Sequence, residues 1–293
     1  MKKMKSLSTL MILLAAVFWG IIGLFVKYLT PYGFTSAELV ALRSLITAVS
    51  LVAVLLMTQP NKLKIKLKHI GYFIGTGFFS FVFFNLCYFQ AMNHASLSVA
   101  AILLYTAPFF VMGMSCIFFR EKITRGKFLA LVLAFLGCVA VSGVLEGGGA
   151  ISAEGLLWGL GSGLGYALYS IFAKFALRKY ETLTVITYTF LVATVGSLFL
   201  ITPSHTVGVL TSSPESILLL LVYGIITGAA AYYCYTKGLE NTPPAKASVI
   251  ATAEPVVATL TGAFFFGEIP SAFGILGIFL VIFSVLYLQR QES

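Results

Sequence analysis

Ten long apolar stretches, separated by short polar breaks, follow one another along the chain. Their approximate limits are 7–29, 34–57, 70–92, 96–119, 126–145, 154–177, 183–202, 215–237, 246–266 and 271–289. Each is close to the roughly 20 residues that a helix needs to cross the hydrocarbon core of a bilayer. The breaks carry turn residues, as in Thr30-Pro31-Tyr32-Gly33 and Thr242-Pro243-Pro244. The pattern predicts an all-α integral membrane protein with ten transmembrane helices, numbered here span 1 to span 10.

The composition agrees with a membrane protein and excludes a soluble globular one. Hydrophobic residues make up 59% of the chain and charged residues 10%, with a mean hydropathy of +0.99. Soluble domains carry roughly 25% charged residues. The N-terminal run is too long for the apolar part of a signal peptide and lacks a clear small-residue cleavage site. We therefore expect it to remain in the protein as span 1.

A shift of 147 residues aligns the two halves of the chain without a gap. The shift superimposes identical residues along its length: Phe25 on Phe172, Lys27 on Lys174, Cys87 on Cys234, Pro108 on Pro255 and Glu121 on Glu268. The chain is therefore predicted to be a duplication, with one five-helix repeat in residues 1–146 and a second in residues 147–293. A short glycine-rich joint at 146–149 connects them.

Most cations fall on one side of this predicted weave of helices. They precede span 1, follow spans 2, 4 and 6, bracket the turn between spans 8 and 9, and close the chain at Arg290; Lys27 is the exception. Positive residues accumulate in cytoplasmic loops, so both termini are predicted to be cytoplasmic in the cell membrane. The net charge of +9 then reflects topology, and no nucleic-acid partner is expected.

The number of spans per repeat determines how the repeats are related. Because five is odd, span 1 runs outward and its copy, span 6, runs inward, so the repeats are inverted with respect to each other. Inverted repeats commonly hold a substrate between them near the middle of the bilayer and expose it to each side in turn. The sequence therefore predicts a transporter that works by alternating access.

Three motifs carry a resemblance to a known family. They are Phe18-Trp19-Gly20, Thr106-Ala107-Pro108 followed by Glu121, and Ala253-Glu254-Pro255 followed by Glu268. With them the whole chain resembles the EamA-type branch of the drug/metabolite transporter superfamily, although Arg120 replaces a common Gly and Tyr166 stands opposite Trp19. The resemblance implies a ten-helix carrier and favours export, and it leaves the substrate open.

Glu254 is the most informative charged residue, because it lies about eight residues into span 9, roughly 12 Å from the helix end. A carboxylate at that depth is costly unless it is paired, hydrated or protonated. Pro255 beside it favours a kink that faces a cavity. We interpret Glu254 as a ligand for a substrate amine and as a proton-coupling site. The alternative is a structural Glu bonded to backbone groups that the proline frees.

Arg43 is the second deep charge, in span 2. Its permanently charged, planar guanidinium suits a carboxylate. It is predicted to bind an anionic group of the substrate or to pair with Glu254 in an empty cavity, and a structural role in capping carbonyls is the alternative. Glu38, nearer the end of the same span, is predicted to be solvated.

Aromatic and amide side chains are the remaining candidates for substrate binding. Those at similar depth in spans 1, 3, 4 and 6 are Trp19, Tyr105, Tyr166, Tyr169 and Asn85. Aromatic rings with polar groups can wall a cavity and hold a cation, but each ring can equally face lipid or the core. Trp19 and Tyr166 superimpose in the repeat. Asn85 either bonds to another helix or lines the cavity.

Motifs for enzymatic chemistry are absent from the sequence. The chain has no Asp, no zinc-protease motif, no nucleophile-elbow motif and no phosphate-binding Gly-Lys-Ser/Thr loop. We therefore expect no enzymatic activity, no metal and no cofactor. Transport must then be driven by an ion gradient or by the gradient of the substrate itself.

The predicted activity is secondary active transport of small polar organic solutes, such as amino acids or related metabolites, by alternating access. Export coupled to protons is favoured. The alternatives are a carrier for choline-like quaternary amines or organic cations, and, from another class, a channel or flippase. The expected partners are the small-molecule substrate, protons and the lipid bilayer, and the sequence is compatible with a monomer.

Overall fold

The structure of the chain is a computed structural model that describes residues 2–147 and 152–290, with side chains from Ser6 onward. Gly148 and Gly149 of the predicted joint, and residues 291–293, lie outside the described residues. Within the described ranges all regular secondary structure is helical.

The predicted spans are present with closely matching limits. Nine segments of the described ranges are long and apolar enough to cross a membrane: Ser6–Tyr32, Ser36–Thr58, Leu67–His94, Leu97–Phe119, Ala153–Ala176, Thr182–Leu200, Glu215–Glu240, Pro244–Phe266 and Ala272–Arg290. They are spans 1 to 4 and 6 to 10. Span 5 is the helix Arg125–Val141, whose 17 residues lie at the short limit for crossing. The predicted all-α membrane fold is confirmed.

Spans 4 and 9 are each broken at the same position of the repeat. Span 4 consists of Leu97–Leu104 and Ala107–Phe119, and span 9 consists of Pro244–Ala251 and Glu254–Phe266. A proline stands in the first turn of each second half, where its missing N–H costs no helical hydrogen bond. The kink expected beside Pro255 is therefore present, and it creates a new helix N-terminus in the interior of span 9.

Spans 3 and 8 also share a local distortion. Each contains a π-helical stretch, Gly75–Val82 in span 3 and Gly224–Ala230 in span 8, at nearly equivalent positions of the repeat. The wide turns pack closely against neighbouring helices. For example, a Cβ on Gly228 would lie 1.8 Å from the hydroxyl oxygen of Thr47. Only glycine fits at this contact, and π-helical turns of this kind are frequent at functional sites.

Helix pairing follows the symmetry of the duplication. Span 1 packs against span 8 while its copy, span 6, packs against span 3, and spans 5 and 10 form a pair at the side of the bundle. Span 1 begins beside the end of span 8, and Leu288 near the end of the chain packs against Ala245 at the start of span 9. The first and last described residues therefore lie at one end of the bundle, called here the terminal end; the other is the opposite end.

The segment between spans 7 and 8, one of the polar breaks between the predicted spans, contains a further helix. Pro203–Ser212 is a helix at the opposite end. Its Thr206 hydroxyl donates to Oε1 of Glu38 at 2.6 Å, and His205 Nδ1 lies 2.9 Å from the same oxygen. The prediction that Glu38 is solvated is wrong, because it is 2% exposed. Its second oxygen accepts from Thr35 and caps span 2, which leaves Glu38 fully engaged in structure.

Spans 5 and 10 cross at Gly137 and Gly277. A Cβ on Gly277 would lie 2.6 Å from the carbonyl oxygen of Gly137, a rigid backbone atom. We expect Gly277→Ala to lower the free energy of unfolding by about 1–3 kcal/mol, measured by thermal unfolding in detergent. Gly274→Ala is the matched control in the same helix, since its Cβ would meet nothing closer than 3.5 Å. Equal destabilisation by both variants would contradict the close crossing.

Candidate substrate-binding cavity

One cavity of about 310 Å³ lies between the two halves of the chain. Its walls come from spans 1, 2, 3 and 4 of the first half and spans 6, 8 and 9 of the second. Known small-molecule sites occupy roughly 300–1,000 Å³, so the volume suits a small organic solute. The cavity reaches the opposite end, where Ser36 at the start of span 2 and Met92 near the end of span 3 line it.

The structure brings six of the seven predicted site residues together around this cavity. They are Trp19, Arg43, Asn85, Tyr105, Tyr166 and Glu254. Tyr169 is placed elsewhere, one helical turn nearer the terminal end. It is 5% exposed and its hydroxyl lies 2.6 Å from that of Thr236, so it belongs to the packed half of the protein.

Glu254 stands at the N-terminus of the half-helix Glu254–Phe266, where the prolines and the break in span 9 place it. The unpaired N–H groups and the dipole of a helix N-terminus stabilise a carboxylate. The Tyr166 hydroxyl donates to Oε2 of Glu254 at 3.3 Å. The side chain is half-buried and lines the cavity. The carboxylate therefore has a hydrogen-bond partner in the protein, and it also faces the cavity.

Arg43 is 5% exposed and lies on another wall of the same cavity. Its guanidinium carbon lies 5.2 Å from the centre of the Phe81 ring and 5.7 Å from that of Tyr223, distances typical of cation–π contacts. Its Nε has no hydrogen-bond partner, and no direct ion pair joins Arg43 to Glu254 in the described structure. The pairing expected as one alternative is absent, so the cavity contains two separate opposite charges.

Asn85 is held by its own helix. Its Nδ2 donates to the carbonyl oxygen of Phe81 at 2.7 Å, at the end of the π-helical stretch of span 3. The side chain also lines the cavity, which is the second of the two alternatives predicted for it. Tyr105 lies at the break of span 4, the equivalent of the break that exposes Glu254.

An aromatic floor separates the cavity from the terminal half of the protein. The ring of Trp19 lies 6.1 Å from Tyr166, 5.2 Å from Tyr232 and 5.2 Å from Tyr235, measured between ring centres. Sequence reasoning missed Tyr232, and also Tyr88 and Tyr223, which line the cavity. Tyr232 is the repeat equivalent of Asn85, so the shift of 147 residues was the signal that could have found it.

The terminal half below this floor is tightly packed. Its core consists of Ile12, Ala15, Trp19, Phe73, Tyr169, Ala173, Ala176, Val185, Ala231, Cys234, Tyr235, Leu239, Ala247, Ile250, Ala251 and Val285. Hydrogen bonds reinforce it, including one of 2.6 Å between the hydroxyls of Ser170 and Tyr235. The cavity is therefore closed toward the terminal end and open toward the opposite end.

Metal or thiol chemistry has no visible place in this cavity. The four cysteines are free, and Cys87, Cys138 and Cys234 are buried. Among the residues that the structure describes, no three His, Cys, Asp or Glu side chains group together in a way that could hold a metal ion. The groups available in the cavity are two charged side chains, Glu254 and Arg43, together with hydrogen-bonding and aromatic side chains.

Known proteins similar to this chain are membrane transporters. An uncharacterized transporter of Bacillus subtilis, YwfM, is 25% identical over 96% of this chain and 93% of its own length. The pseudopaline exporter CntI of Pseudomonas aeruginosa is 24% identical over 71% of each protein. One solved crystal structure has the same fold, with a TM-score of 0.81 at 21% identity over 98% of this chain and 99% of that one.

The family match covers both halves of the chain. Residues 6–143 and residues 153–289 each match the EamA-like transporter family, so nearly all of the chain is accounted for by two copies of one domain. Together with the two helical units and the cavity between them, this establishes that the chain belongs to the EamA-like transporter family.

Proposed function

We propose that this transporter is a secondary active carrier of small polar organic solutes that bind between its two repeats. The observation that carries the proposal is the cavity itself. It holds a half-buried carboxylate and a buried guanidinium, not paired with each other, and it is open at one end only. A site closed on one side by packed side chains suits alternating access better than a continuous channel.

The two charges favour a solute that carries both an amine and a carboxylate. Glu254 attracts a cation, and Arg43 presents a planar fork that matches a carboxylate. The rings of Trp19, Tyr166 and Tyr232 would cover the apolar part of the solute. Amino acids and related metabolites have this chemistry. The name of CntI, an exporter, supports export as the direction.

Proton coupling would act through Glu254. While the cavity is open, water can reach the carboxylate; when that end closes, the water is removed and a charged carboxylate becomes costly. Taking up a proton avoids this cost, and a substrate amine avoids it in another way. The two can therefore alternate on Glu254, which links movement of solute to movement of protons.

Glu254→Gln tests this coupling, because glutamine imitates the protonated acid permanently. We expect the variant to lose accumulation driven by a pH gradient in proteoliposomes and to retain part of the solute exchange at equal pH. Glu215→Gln is the matched control, since Glu215 is exposed at the start of span 8 and is not among the residues that line this cavity. Full uphill transport by Glu254→Gln would show that Glu254 is structural.

Arg43→Met tests the charge of the substrate. Charge-assisted hydrogen bonds contribute about 1.5–3 kcal/mol, so the variant should weaken binding of a solute with a carboxylate by roughly tenfold or more, and Arg43→Lys should weaken it less. Competition of flux by unlabelled amino acids and by choline measures the affinities.

A choline-like substrate is the second candidate, and the aromatic floor around Trp19 favours it. Since choline has no carboxylate, its binding would depend on Glu254 and the rings, and Arg43→Met would leave it unchanged. That result would replace the amino-acid proposal with the quaternary-amine one. A channel would show neither saturation nor counterflow in the same vesicles.

The proposed orientation places the terminal end in the cytoplasm. The turn between spans 2 and 3 at that end carries the exposed cations Lys64, Lys66 and Lys68. A cysteine introduced by Thr211→Cys, exposed at the opposite end, should react with an impermeant thiol reagent added to intact cells. A cysteine introduced by Lys64→Cys should react only after the cells are opened. The reverse pattern would invert the topology.

A further inference from the structure

Lys174 connects two segments of the protein at the closed, terminal end of the cavity; this set of hydrogen bonds is called here the closing contact of that end. Lys174 of span 6 donates through Nζ to the carbonyl oxygens of Leu239 at 2.6 Å, Glu240 at 3.1 Å and Thr242 at 3.1 Å. These carbonyls form the end of span 8 and the turn into span 9. The last carbonyls of a helix have no helical partner and carry partial negative charge, so they bind an ammonium group well. Lys174 thus ties span 6 to the turn on the closed side.

The repeat places the same parts at the opposite end. The shift of 147 residues carries Lys174 to Lys27, and the three acceptors to the carbonyls of Met92, Asn93 and Ala95. These carbonyls end span 3, whose last helix stops at His94 as that of span 8 stops at Glu240. Because the acceptors are backbone atoms, only the lysine has to be the same residue, and it is.

Lys27 does not occupy the equivalent position in this structure. Its Nζ lies 3.0 Å from Oε1 of Glu268 and 3.6 Å from the centre of the Phe266 ring, on the outside of span 9. The side chain of Met92, whose carbonyl is one of these would-be acceptors, lines the open cavity. Lys27 is thus withdrawn at the open end while Lys174 is engaged at the closed end.

We infer that Lys27 forms the closing contact of the opposite end, as Lys174 forms that of the terminal end. When the opposite end closes, Lys27 leaves Glu268 and donates to the carbonyls at the end of span 3, and Lys174 releases the turn between spans 8 and 9. Glu121, the repeat equivalent of Glu268, then receives Lys174, with which it already interacts electrostatically. The inference rests on the proposed alternating access, since it requires that the two ends open in turn.

The two lysines should have opposite effects on which end is open. Met92→Cys provides a reporter at the mouth of the cavity, and its rate of reaction with an impermeant thiol reagent measures the fraction of protein open to that side. Lys27→Met removes the contact that would close the opposite end, so it should raise the rate. Lys174→Met removes the contact that closes the terminal end in this structure, so it should lower the rate. A charge-assisted hydrogen bond shifts such an equilibrium about tenfold, so the two rates should differ by roughly that factor or more.

Two control variants distinguish loss of a closing contact from a general effect of removing a positive charge. Lys64→Met removes an equal charge at an exposed position and should leave the rate unchanged, and Lys27→Arg should behave as the parent protein. Cationic and anionic reagents should give the same order of rates, which excludes attraction of the reagent by Lys27 as the cause.

The outcomes distinguish the inference from the proposed function. If Lys174→Met lowers the rate while Lys27→Met has the same rate as Lys64→Met, the proposed alternating access stands. The inference that Lys27 closes the opposite end is then refuted. If neither lysine changes the rate and the vesicles show no counterflow of solute, the proposed function fails and the inference fails with it.

Discussion

A charged carboxylate within a membrane-spanning segment must be stabilised by the protein around it, and the proposed mechanism of this transporter depends on how that is done for Glu254. The break in span 9 supplies a helix N-terminus at the depth of the carboxylate, and Pro255 makes that break tolerable. Tyr166 supplies a hydroxyl, and the open end of the cavity gives access to water. In the proposed mechanism, closing of the cavity on that side removes this water, so the protonation or ligand state of Glu254 depends on the position of the helices.

The frame of the protein is symmetric and its site is not. Both repeats have a broken span before a proline and a π-helical stretch. The charges occur once: the repeat equivalent of Glu254 is Ala107, and that of Arg43 is Phe190. In the proposed mechanism, the breaks and π-helical stretches that occur in both repeats permit the movement, and the charged side chains that occur once determine which solute binds.

The sequence predicts the frame well because hydrocarbon leaves little choice. Apolar runs of sufficient length determine the spans, and prolines mark the breaks beside Glu254. The π-helical stretches escaped prediction because they depend on which neighbour presses on which glycine, as Thr47 does on Gly228. Glu38 was misjudged for the same reason, since its partners come from a helix far along the chain. Depth along a helix is readable from the sequence, but the direction of a side chain is not, and so Tyr169 lies in the packed core while Tyr232 lines the cavity.

Distances measured at both ends of the bundle test the account most directly. Spin labels at Thr30 and His94 report on the opposite end, and labels at Arg178 and Asn241 report on the terminal end, all at exposed positions. Pulsed electron paramagnetic resonance in lipid nanodiscs, at acidic and at alkaline pH, gives the distance distribution of each pair of labels. The account predicts two populations that shift in opposite senses, so that one pair draws together as the other separates. Distances that lengthen together, or that stay single and fixed at every pH, would contradict it.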